Sequence, residues 1–200
     1  MNDERNQRHN SRMARKKEVV DAKIAQASQE RGVLLVHTGN GKGKSSAAFG
    51  VLARALGHGH SAAVIQLVKS RSDTGEEGFF RQQPNVKWHV MGEGFTWETQ
   101  DREKDLRAAR AAWEQACVYL ADPAIDLVIL DELTYAFKYG WLELDAVLAA
   151  FAARPPHQHV IVTGRAAPEA LVAAADTVSE MGMVKHAFQA GVAAMPGIEF

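Results

Sequence analysis

The run Thr38-Gly39-Asn40-Gly41-Lys42-Gly43-Lys44-Ser45-Ser46 brings glycines, lysines and hydroxyls together in an order suited to phosphate chemistry. An apolar stretch, residues 33–36, leads into it, and an alanine-rich helical segment leads out. That is the strand, loop, helix order of a P-loop. Glycines let successive backbone N–H groups approach phosphate oxygens without a side chain in the way. The new helix adds unpaired N–H groups and the positive end of its dipole. Lys44 supplies a mobile cation for terminal phosphates and Ser45 a hydroxyl for Mg²⁺. The expected nucleotide contacts are therefore Gly39, Asn40, Gly41, Lys42, Gly43, Lys44, Ser45 and Ser46. In the G-x-x-x-x-G-K-[ST] template the first glycine falls on Thr38, and Gly39 and Gly41 supply the flexibility instead.

A second signal follows some ninety residues on. Residues 125–130 are an apolar strand running into Asp131-Glu132. This is a Walker B arrangement, in which a carboxylate supports Mg²⁺ bound to the P-loop hydroxyl. By itself the pattern is weak, because Asp also ends strands as a helix cap. Ser45, Asp131 and Glu132 are the expected Mg²⁺ residues, and Glu132 either activates a water or orients the metal shell. Arg54, off the apolar stripe of its helix, reaches a nucleotide or faces water.

Between the two signals, residues 92–100 place Phe95 and Trp97 among glycines and polar residues. Two large aromatics in such a loop either fold back as a satellite core or present apolar surface to a ligand. Cys117 lies on a helical apolar stripe and is expected to be a buried core thiol. The histidines are scattered without metal-ligand spacing, so no zinc site is predicted.

The elements that must position these residues are legible from periodicity. Strands are predicted at 33–38, 61–68, 86–91, 125–130, 159–163 and 176–179. Helices are predicted at 44–56, 101–120, 144–153 and 168–175. The first of these helices should show Phe49, Leu52, Ala53 and Leu56 to the core, and the second Leu106, Ala109, Trp113, Cys117 and Leu120. Residues 69–78 read as a polar loop. Strands alternating with helices make an α/β fold: a parallel sheet with helices on both faces and ligands at the strand C-termini. Residues 32–200 are expected to form this domain.

Residues 1–31 differ in kind: eight Lys/Arg against five Asp/Glu, no aromatics and no glycine. The first ten or so are expected to be disordered and residues 11–30 helical, with Met13, Val20, Ile24 and Ala27 on one face. Such an arm covers its own domain, a second subunit or a ligand, or is a solvated basic tail. The whole chain, 200 residues with net charge −1, lacks the basic footprint of a general nucleic-acid binder. One cysteine excludes a disulfide framework. No apolar run approaches the ~18 residues of a membrane span, and the N-terminus is too polar for a signal peptide. A cytoplasmic protein is expected.

Taken together, residues 38–45, 94–100, 131–135 (Asp-Glu-Leu-Thr-Tyr), 162–165 (Val-Thr-Gly-Arg) and 184–188 (Val-Lys-His-Ala-Phe) resemble the P-loop corrinoid adenosyltransferases. The resemblance runs from about Arg31 to the C-terminus, and the polar arm is also similar to theirs. Ser45 stands where threonine is expected, and Ser70 and Met183 where glycine and proline are expected. The resemblance implies a RecA-like P-loop domain that moves the 5′-deoxyadenosyl group of MgATP to Co(I) of cobalamin or a precursor corrinoid, releasing triphosphate. It implies Lys44, Phe95, Trp97 and Glu132 as catalytic residues, with the two aromatics below the corrin displacing its lower axial ligand. A flavoprotein reductant and a homodimer, with the arm closing over the corrinoid, are implied as well. The rival readings are a P-loop ATPase or kinase working through Glu132, and a non-enzymatic corrinoid carrier. Against the carrier, the chain has no D-x-H-x-x-G run.

Overall fold

The computed structural model describes residues 2–68, 74–91 and 101–199. The chain divides into two compact units, Met1–Arg31 and Gly32–Phe200. The first holds a single helix, α1 (Asn2–Gln26). It begins well before the predicted residue 11, and the expected disorder of the first ten residues is not what is found. Without glycine or proline to interrupt it, the polar run continues as helix from its first turn. Met13, Val19, Val20 and Ile24 are exposed on it.

In the second unit, β1 (Leu34–Thr38) leads to α2 (Lys44–Gly57), then β2 (Ala62–Gln66), α3 (Gly75–Phe80) and β3 (Val86–Val90). The long helix α4 (Arg102–Leu120) is followed by β4 (Leu127–Asp131), α5 (Thr134–Lys138) and α6 (Leu144–Ala153). The chain continues through β5 (His159–Thr163), α7 (Glu169–Ala174), β6 (Thr177–Glu180) and a 3₁₀ turn at Ala187–Ala190. All six strands are parallel, in the order β3-β2-β4-β5-β1-β6. The P-loop strand β1 thus lies between β5 and β6, and β5 separates it from the acid-ended strand β4.

Side chains alternate across each strand, and the two faces make separate cores. Under α2, Ala48, Phe49 and Leu52 pack on Val64, Ile129 and Ile161, with Phe80 and Trp88 alongside. The Phe49 and Trp88 rings are 5.2 Å apart, and Phe80 stacks on Trp88 at 6.0 Å. On the opposite face Ala63, Ile65, Val128, Leu130, Val160 and Val162 meet α4, α6 and Leu171 of α7. Near-continuous burial of β2, β4 and β5 is what helices on both faces require.

Three expectations are corrected by this packing. Ala53 is exposed, because α2 buries its Ala48–Phe49–Leu52 edge on the sheet, with Val51, Ala55 and Leu56 partly buried beside it. On α4, Leu106 and Trp113 of the expected stripe pack against the core partly buried, while the fully buried line is Ala109, Ala112, Ala116 and Leu120. Small residues there let the helix lie close to the sheet, and Cys117 sits half-buried beside that line, its thiol pKa raised by desolvation and by Glu114. Within the stretch predicted as a polar loop α3 begins, started by Thr74, whose hydroxyl accepts from the Glu77 amide at 3.4 Å. The short helix α5 also escaped the periodicity, since its five residues are too few to show one.

Candidate nucleotide site

The P-loop is shaped by close approach of backbone on one side. Gly39 and Gly43 have φ of 97° and 106°, in the left-handed region that glycine adopts without strain. A Cβ on Gly41 would come within 2.6 Å of the Gly182 carbonyl oxygen, and one on Gly39 within 2.5 Å of that of Met181. The chain leaving β6 therefore lies directly against the loop. The Gly41 amide donates to the Met181 carbonyl at 2.6 Å, and the Met181 amide to that of Thr38 at 2.8 Å. Gly41 thus spends its N–H on the fold, while the first turn of α2 adds amides without an intrahelical partner for a phosphate. Thr38, where the template has glycine, has a use: its hydroxyl accepts from the Ala167 amide at 3.2 Å, tying the P-loop to the loop after β5.

A cavity of about 400 Å³ opens at this end of the sheet. Gly41, Lys42, Gly43, Lys44, Ser45 and Ser46 line it, facing Glu132, Tyr135 and Arg165. Lys44 is buried and its ammonium donates to the Gly41 carbonyl at 2.7 Å. Burial lowers its pKa, while the negative charges of Glu132 and Asp131 act the other way. Burial also raises the pKa of the Tyr135 phenol, with Glu132 adding to the effect. The loop thus holds a cation partly stripped of water, which interacts more strongly with a phosphate than a solvated one does.

Behind the cavity a polar row crosses the sheet at its last register positions. Gln66 pairs with Asp131, and His37 with Thr163. The fully buried Asp131 carboxylate accepts from Gln66 Nε2 at 3.0 Å and from the Thr163 hydroxyl at 2.7 Å. Thr163 Oγ1 in turn accepts from the Glu132 amide at 2.9 Å. Glu132 has φ 63°, an uncommon value for a residue with a side chain. The turn it makes leaves Asp131 in the wall and puts Glu132 on the cavity. Asp131 is therefore a buried anchor whose two oxygens are already engaged. The structure does not place it on the cavity lining beside Ser45 and Glu132, as a shared Mg²⁺ shell would suggest. His37 ends the row with both ring nitrogens buried and unpartnered among the described residues, and desolvation lowers its pKa.

Sequence reasoning missed Arg165, Tyr135, Glu76 and Glu199 as lining residues. Arg165 and Tyr135 lay inside recognised motifs without an assigned role. The Arg165 turn is set by Gly164, at φ 141°, whose absent Cβ leaves room for Thr134, and Thr134 Oγ1 donates to the Arg165 carbonyl at 2.7 Å. Glu76 and Glu199 carried no local signal. Arg54 is not brought to the P-loop. It is exposed in the last turn of α2, about 15 Å along the axis from Lys44 at ~1.5 Å per residue. There it lines a separate cavity with Val51, His58, His60, Asp126 and His159. Phe95 and Trp97 lie outside the described residues.

Among the described residues no group of three or more His, Cys, Asp or Glu could hold a metal. What the cavity offers a Mg²⁺ is Ser45 at the start of α2 and Glu132 opposite, which suits an ion held chiefly by phosphate oxygens.

Residues 30–200 match the family described as ATP:corrinoid adenosyltransferase BtuR/CobO/CobP, and residues 1–24 match the cob(I)alamin adenosyltransferase N-terminal family. The chain is 63% identical over 198 residues to a corrinoid adenosyltransferase of Pseudomonas aeruginosa, with 98% of each chain covered. It is 50% identical over 194 residues to corrinoid adenosyltransferase CobA of Salmonella typhimurium, covering 97% of this chain and 98% of that one. A corrinoid adenosyltransferase of a Sinorhizobium species is 40% identical over 196 residues, with 96% and 92% covered. A P-loop site on a parallel sheet, matched along nearly its whole length in this way, places the chain in the ATP:corrinoid adenosyltransferase family.

Proposed function

We propose that the cavity at the P-loop binds the polyphosphate of ATP so that the 5′-carbon is presented to Co(I) of a corrinoid. The observation that carries this reading is that Gly41–Ser46, Glu132 and Arg165 line one cavity in a chain of this family. In the transfer, an electron pair on Co(I) forms the Co–C5′ bond while the C5′–O bond breaks. That bonding pair leaves on the oxygen of inorganic triphosphate, and the cobalt becomes Co(III). No proton moves. Glu132 therefore acts through its charge and needs no role as general base, and the demand on the protein is to stabilise a leaving group gathering negative charge. Lys44, Lys42, Arg165 and the amides opening α2 meet that demand, while Asp131 and Thr163 hold Glu132 in place. Mg²⁺, when bound by Ser45 and Glu132 together with phosphate oxygens, offsets further charge on the triphosphate.

Phe95 and Trp97 take the lower face of the corrin in this reading, displacing the axial ligand so that a flavoprotein can reduce Co(II). The arm, residues 1–31, closes over the corrinoid in a homodimer, and the enzyme works in the cytoplasm. Among the described residues no helix is long and apolar enough to cross a membrane. The test is to incubate the protein with MgATP and chemically reduced corrinoid and measure both products. The adenosylated corrinoid and inorganic triphosphate should form one to one. ADP with phosphate in their place would identify a hydrolase or kinase instead.

A further inference from the structure

Among the described residues, the charges around the cavity balance: three cations, Lys42, Lys44 and Arg165, share the lining with three carboxylates, Glu76, Glu132 and Glu199. A site for a polyphosphate should carry an excess of positive charge. Glu132 has the role given above, and Glu76 lies in the first turn of α3, where a helix dipole favours an acid. Glu199 has neither explanation. It is delivered by a turn in which the Ile198 and Glu199 amides donate to the Met195 carbonyl, with Gly197 at φ 81° reversing the chain. Gly197 and Ile198 line the cavity beside it. The Glu199 carboxylate forms an ion pair with the Lys42 ammonium, in the middle of the P-loop.

The same length of chain grips the P-loop twice. The Met181 carbonyl receives the Gly41 amide, and Glu199 meets the neighbouring Lys42. The first contact is backbone hydrogen bonding and belongs to the fold. The second joins two side chains that are 51% and 21% exposed, and an ion pair of that exposure exchanges readily for a better anion.

We propose that Glu199 is a resident counter-ion of the phosphate site. Its carboxylate competes with the polyphosphate for Lys42, so nucleotide enters by displacing it and triphosphate leaves as the pair re-forms. This rests on the reading of the cavity as the phosphate site. A triphosphate held by amides and three cations would otherwise be slow to leave, and an internal carboxylate lowers that affinity without removing any donor.

The experiment is calorimetric titration of metal-free inorganic triphosphate into the full chain and its variants Glu199→Gln, Glu199→Asp, Lys42→Ala, the Glu199→Gln/Lys42→Ala double and Lys44→Ala. Glu199→Gln should bind triphosphate about two- to five-fold more tightly, the size expected for losing one half-exposed competing ion pair. Glu199→Asp, which keeps the charge, should stay near wild type, and the gain should shrink as salt rises. Adding Glu199→Gln to Lys42→Ala should change nothing further, because the two act on one interaction. Unchanged affinity in Glu199→Gln would show that the pair does not compete. Weaker binding would show that Glu199 supports the ligand, and either result overturns the proposal. Failure of the phosphate-site reading looks different: triphosphate would not bind the wild type, or would bind a Lys44→Ala chain equally well.

Discussion

At the scale of single residues, the site works by holding charge where water is scarce. Lys44 is the clearest case, buried, bonded to the Gly41 carbonyl and lowered in pKa by desolvation. Lys44→Ala should cut adenosyl transfer by roughly 10²–10³, the usual loss for one preorganised charge-stabilising group. Its melting temperature should hardly move, since the ammonium's one described hydrogen bond is local to the loop. Near-normal turnover in a folded Lys44→Ala protein would remove the P-loop from the mechanism. In the proposed function, Trp97 separates two steps of the reaction. Trp97→Ala should fail with Co(II) corrinoid and a mild flavin reductant, then recover much of its activity when a strong chemical reductant supplies Co(I). Loss of a core tryptophan would instead cost ~3–5 kcal/mol and lower both activities alike. The ratio of the two activities, measured beside the melting temperature, decides between them.

At the scale of elements, the P-loop keeps its shape because β6 and the chain after it lie against it. Gly41 makes this testable, as its missing Cβ leaves the space that the Met181 and Gly182 carbonyls fill. Gly41→Ala should push that segment away and break the 2.6 Å bond from the Gly41 amide. The expected cost is about 1–3 kcal/mol, with a lower melting temperature and weaker MgATP binding together. If nucleotide binding were lost with stability intact, the glycine would serve the ligand directly and the β6 contact would be incidental. The P-loop itself was legible in the sequence because its glycine spacing and flanking periodicities are local. The support it receives was not, since nothing in residues 177–182 marks them as neighbours of residues 38–41.

At the scale of the whole molecule, the two compact units coincide with two family matches, residues 1–24 and 30–200. The helix α1 exposes Met13, Val19, Val20 and Ile24, an apolar content with no use to an isolated solvated helix. Deleting residues 1–28 should leave a folded protein that still binds MgATP, because β1 starts only at Leu34. Corrinoid binding should weaken markedly in the same protein. Unfolding on truncation, followed by circular dichroism, would make the arm part of the core and end its reading as a lid.

The sequence by itself determined what neighbours along the chain can encode: a glycine-rich loop between strand and helix, a buried strand ending in two acids, and the α/β alternation. Helix boundaries at residues 44 and 120 and the strand at 159–163 followed from the same local periods. The tertiary structure alone decided the strand order, and with it the chemistry around the acids. Because β5 falls between β1 and β4, Thr163 reaches Asp131, and Glu132 turns onto the cavity as its partner is drawn into the wall. The same folding carries Arg165 and Glu199 to the P-loop and leaves Arg54 at the far end of its helix. Parallel strands are joined by long crossovers, so their pairing rests on contacts between residues distant in sequence, which no local period records.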